Sequence, residues 1–242
     1  MKRLILVCAI LLLPLAAFSE VTKQEKEACF LSPSYACVIT QALAIAKMIE
    51  DADDRAEALV DIATAQAKAG DVKEALATAK TIERADIRAT ALTDIAKAQA
   101  KAGDVKEAKE TFVQAFASAK TIEDADDRAE ALTGIATAQA KAGDVKAALA
   151  TAKTIEDDDD RAEALTDIAT AQAKAGDVNA ALATAKTIED DDDRAEALTD
   201  IATAQAKAGD VKEALATTKT IENVYWRASA LTDIAEILFQ IK

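Results

Sequence analysis

From about residue 33 onward, apolar and polar positions recur with the period of an α-helix. Val72, Ala75, Leu76, Ala79 and Ile82 fall at i, i+3, i+4, i+7 and i+10, one continuous apolar face. Just before them, Ala56, Ala58, Leu59, Ile62, Ala63, Ala65, Ala67 and Ala69 cover most of a helical circumference. Only Glu57, Asp61, Thr64 and Lys68 leave a narrow polar stripe. Gly70 suits the left-handed residue that ends a helix. Asp54-Arg55-Ala56-Glu57 and Asp71-Val72-Lys73-Glu74 read as capping boxes that open the two helices. Two helices joined by so short a turn lie antiparallel. A first helix that is apolar nearly all round needs more than one neighbour, so the hairpins must stack.

The pattern repeats. Gly-Asp-Val recurs at Gly70, Gly103, Gly143, Gly176 and Gly209, with intervals of 33, 40, 33 and 33. Arginine followed by Ala-x-Ala-Leu recurs at Arg55, Arg88, Arg128, Arg161, Arg194 and Arg227, with the same single interval of 40. The seven extra residues fall within 109–118 and are close to two turns at about 3.6 residues each, so they predict a longer helix in unbroken register. Five units span residues 51–222. Residues 20–50 form an N-terminal cap containing a half-repeat, because Ala42, Leu43, Ala46 and Ile49 stand 33 residues ahead of Ala75, Leu76, Ala79 and Ile82. Residues 223–242 repeat the first helix as a C-terminal cap, with Trp226, Leu231, Ile234 and Phe239 adding bulk.

Ala56, Leu59, Ile62, Ala63, Gly70, Asp71, Ala75 and Ile82 fall where tetratricopeptide repeats place their packing residues and Gly-Asp turn. The chain resembles that family over roughly residues 33–242, in a divergent form. Its period is 33 against the family's about 34, and Gln66 and Ala79 replace the usual aromatics. The resemblance implies an all-α fold, a right-handed α-solenoid of stacked antiparallel helix-turn-helix repeats capped at both ends. It also implies a groove, lined by first helices, that holds peptides or helices of other proteins.

Composition agrees with helices packed closely. The chain is 51% hydrophobic but only 3% aromatic, with alanine the commonest apolar residue and only two prolines. Residues 1–19 read as a signal peptide: Lys2 and Arg3, an apolar run over 4–15, then Ala17-Phe18-Ser19 before the cut. That run is shorter than the roughly 20 residues of a membrane anchor. The mature protein is therefore expected to be exported, periplasmic or secreted, without membrane insertion. Its removal leaves 27 basic against 43 acidic residues, a net charge of −16. Such a balance excludes nucleic acid as a partner and favours cationic or helical proteins and peptides, met by a monomer. Cys29 and Cys37 read as a disulfide in an oxidising compartment, with a metal or redox pair as the competing reading. The chain has no histidine, so common nucleophile–base pairs are unavailable. A non-enzymatic protein without metal or cofactor is expected.

By resemblance, the groove stripe comprises Glu57, Thr64 and Lys68, then Thr90, Lys97 and Lys101. Glu130, Thr137 and Lys141 follow, then Glu163, Thr170 and Lys174, and last Glu196, Thr203 and Lys207. The competing reading is that acids near a helix start and lysines near its end simply suit the helix dipole. The acidic runs at 157–160 and 190–193 pose a choice between caps and ligands for calcium or a basic partner. Phe112 and Phe116, in the inserted stretch, are the non-repeated candidates for specificity, against simple extra packing. The function expected is a scaffold for protein–protein interaction. A structural spacer without a dedicated ligand is the alternative.

Overall fold

The computed structural model describes residues 33–240 and contains helices and connecting turns only, with no strand among the described residues. The helices are α1 (Tyr35–Ala46), α2 (Ala52–Lys68), α3 (Val72–Ala79), α4 (Ala85–Ala102), α5 (Val105–Ala119) and α6 (Ala125–Lys141). Then come α7 (Val145–Ala152), α8 (Asp158–Lys174), α9 (Val178–Ala185), α10 (Asp191–Ala208), α11 (Val211–Thr218) and α12 (Val224–Gln240). Five hairpins, α2–α3 through α10–α11, follow in a row. Each first helix packs on its own second helix, on the second helix before it and on the next first helix. The result is a helical solenoid with the first helices as its continuous column.

The turn inside each hairpin is short because glycine permits it. Gly70 has φ +90°, the left-handed conformation that side chains disfavour. It lets the Asp71 N–H donate to Gln66 O at 2.9 Å and the Gly70 N–H to Ala67 O at 3.1 Å, which satisfies two free carbonyls of α2. Second helices end sooner than the apolar pattern suggests. Ile82 lies beyond α3, in a tight turn closed by its own N–H to Ala79 O at 3.1 Å, yet it is buried at 1% exposure.

Helix starts differ from the expected boxes. The cap of α2 is Asp51, not Asp54: its carboxylate accepts from the N–H groups of Asp53 and Asp54 at 2.9 and 3.0 Å. Asp124, Asp157 and Asp190 repeat this, while Arg84 makes no such bond. The Asp71–Glu74 box does not close either. Asp71, Asp104 and Asp210, each followed by a glutamate three positions on, make no side-chain cap bond. Asp144 and Asp177 do, to Ala147 N at 3.4 Å and Ala180 N at 3.2 Å.

Two polar contacts join neighbouring elements. Arg55, Arg88, Arg128, Arg161 and Arg194 each donate from Nη1 to the carbonyl of the isoleucine six residues back, at 2.7–3.1 Å, closing the loop between units. Inside the hairpins, Thr78, Thr151, Thr184 and Thr217 donate to the buried Oε1 of Gln66, Gln139, Gln172 and Gln205 at 2.7–2.8 Å. The hairpin carrying the insertion differs. Its second helix, α5, has 15 residues where the others have 8, so the seven extra residues do extend a helix. Thr111 there turns to Glu107 O at 3.0 Å, and Gln99 Oε1 is left buried without a partner.

Cys37 of α1 is held in a disulfide. Cys29, residues 1–19 and the rest of the expected N-terminal cap up to residue 32 lie outside the described residues.

Candidate functional site

Acidic side chains on successive first helices, and on the turns before some of them, line one groove. At one stretch, of about 800 Å³, α2, α4, α6 and α8 contribute nine carboxylates and a single cation, Lys97. A second stretch, of about 950 Å³, is lined by ten carboxylates from α6, α8 and α10 and the turns before α8 and α10, with no basic residue. Asp160, Glu163 and Asp167 belong to both, so the two are continuous. The cause is spacing. Asp160, Glu163 and Asp167 sit at i, i+3 and i+7 of α8, and Asp193, Glu196 and Asp200 repeat this on α10, which puts each trio on one helix face.

Crowding of like charges shows in their acidity. Partial burial, then the neighbouring Asp157, Glu130 and Asp126, raises the Asp160 carboxyl above its ordinary range, against a hydrogen bond from Thr133. Asp193 is raised by burial and by Asp190, Asp159 and Asp192. Burial with Asp200, Asp193, Glu163 and Asp167 does the same to Glu196. A positive group entering the groove relieves this repulsion, and an anion adds to it. Among the described residues, no three acidic or cysteine side chains converge as a metal-holding cluster.

The structure divides the predicted stripe. Glu57, Thr90, Lys97, Glu130, Thr137 and Glu163 line the first stretch; Glu163 and Glu196 line the second. Lys68, Lys101, Lys141, Lys174 and Lys207 are exposed near the far ends of their helices and line neither. The threonines serve the stack itself. Thr137 donates to Asp167 Oδ2 at 2.8 Å and Thr170 to Asp200 Oδ2 at 2.9 Å, each reaching the next first helix, and Lys141 joins Asp167 at 3.3 Å. The Oγ1 atoms of Thr64 and Thr203 are buried without a partner. Between α4 and α6 the pair changes to Lys97 and Gly134, and Lys97 turns to Asp94 on its own helix at 2.7 Å.

Phe112 and Phe116 are not available to a partner in the way the sequence suggested. Phe112 is buried at 1% exposure and Phe116 packs half-buried against the same core, because α5 lays its inserted turns on the stack. Sequence reasoning missed the first-turn acids Asp126, Asp127, Asp160 and Asp193 as groove residues. The glutamate three positions after Asp127, Asp160 and Asp193, and four after Asp126, was the available signal.

No protein-family model matches the chain, and no curated protein matches it. Solved structures do. The crystal structure of Ton1535 from Thermococcus onnurineus NA1 is 15% identical, over 88% of this chain and 99% of that one, with a TM-score of 0.38. No helix among the described residues is long and apolar enough to cross a membrane.

Proposed function

We propose that the protein is an exported, non-catalytic scaffold whose acidic groove holds a cationic segment of another protein. The observation that carries this reading is the groove itself: carboxylates of α2, α4, α6, α8 and α10, with Lys97 the one cation among the lining residues. The carboxylates come in repeated trios, so the natural ligand presents lysines or arginines at regular intervals. The likeness of the units to tetratricopeptide repeats, whose first helices line a peptide-holding groove, supports the same surface. The basic start and apolar run of residues 1–19 support export.

Fluorescence anisotropy tests the proposal directly. A labelled lysine-rich peptide should bind the purified protein at low salt and weaken steadily as salt is added, while a glutamate-rich peptide of equal length should not bind. Equal binding of both, or of neither, removes the proposal. The near-identity of the trios on α8 and α10 favours a second reading, a spacer with little surface specialisation. Crosslinking in the native compartment separates the two, since a spacer yields no reproducible partner.

A further inference from the structure

We propose that the protein assembles head to tail, with α12 of one copy and α1 of the next docking as the two helices of a complete hairpin. The described residues open and close on complementary halves. Among the described residues, no first helix stands before α1, which has the register of a second helix, and no second helix follows α12, which has that of a first. The faces left bare are apolar. Leu231 is 43% exposed, whereas its counterparts Leu59, Leu92, Leu132, Leu165 and Leu198 are 2–9% exposed. A solenoid end that meets only water carries a polar outer face.

One pair of positions identifies the occupant. Complete hairpins join their helices through a buried glutamine–threonine bond, as between Gln66 and Thr78. The glutamine position on α12 holds Leu238, and the threonine position on α1 holds Ile45; they are 41% and 62% exposed. Either change alone would strand a buried polar partner. Together they exchange a hydrogen-bonded pair for an apolar one, and they meet only if α1 packs on α12. Those helices lie at opposite ends of one stack, so the pair forms between copies. Phe239, 81% exposed, stands where the preceding first helix holds the buried Ala206. The joint is heterologous, and it replaces the monomer expected from sequence with a chain or ring of copies whose acidic grooves follow one another.

Sedimentation of the purified protein and two variants, Ile45→Asp and Leu238→Asp, tests the joint. Both sites are exposed, and circular dichroism checks that each variant keeps its helicity. The unaltered protein should gain mass with concentration, and each variant alone should stay monomeric. An equimolar mixture of the variants should form a species of two chains and nothing larger, because one intact tail meets one intact head. The proposal is overturned if the unaltered protein is monomeric at every concentration, as it is when its own first 32 residues cover α1. It is equally overturned if Ile45→Asp still associates alone, which marks a symmetric contact through α12, or if the mixture stays monomeric.

Discussion

A buried glutamine oxygen sets one hairpin apart from the other four. Gln139 Oε1 is satisfied by Thr151, whereas Gln99 Oε1 has no partner. Thr151→Val should therefore lower unfolding stability by about 1–3 kcal/mol, because it strands a buried carbonyl. Gln99→Leu should be neutral or stabilising, since it removes an oxygen already stranded; urea titration of both variants checks the contrast. The same scale shows where the sequence misled. Residues 51–57 hold two overlapping acidic caps, and Asp51 wins because starting there adds a further turn of helix. The recurring arginines were plain in the sequence, but their partners are backbone carbonyls, which leave no residue signature.

Among the elements, periodicity made the hairpins legible. It also made the long α5 legible, because seven residues preserve a helical face. What the insertion does was not legible, since a phenylalanine on a helix reads the same whether it meets a partner or a core. Burial decides for core, so Phe112→Ala should cost about 3–5 kcal/mol in unfolding stability. Gly134 offers the opposite case. It lies inside α6, and a Cβ there meets nothing within 4 Å. Gly134→Ala should raise stability by about 0.5–1 kcal/mol, read from the shift in the urea midpoint.

Across the whole molecule, acidic composition raised the expectation of a cationic partner but gave no place for one. Apart from Lys97, the lysines of the predicted stripe lie toward the far ends of their helices, so the groove is more anionic than the stripe implied. Its effect on stability has a definite sign. Asp160, Asp193 and Glu196 are raised in the folded state, so the fold holds protons that the unfolded chain releases just above the ordinary carboxylate range. Stability should rise as pH falls from 7 to roughly 5 in low salt. Asp51 and Asp86 are lowered, by backbone N–H bonds and by Arg84 respectively, so their stabilisation persists until stronger acid, below about 4. Melting temperatures at the two higher pH values check this, and added salt at pH 7 should shrink the difference.

Calorimetric titration of a lysine-rich peptide into two charge-matched variants separates a groove from mere net charge. One variant neutralises Asp160, Glu163, Asp193 and Glu196 inside the groove; the other neutralises Glu74, Glu107, Glu213 and Glu123, which are exposed and line neither stretch. Loss of binding in the first with retention in the second is the predicted result. Equal loss in both, or retention in both, contradicts a dedicated groove.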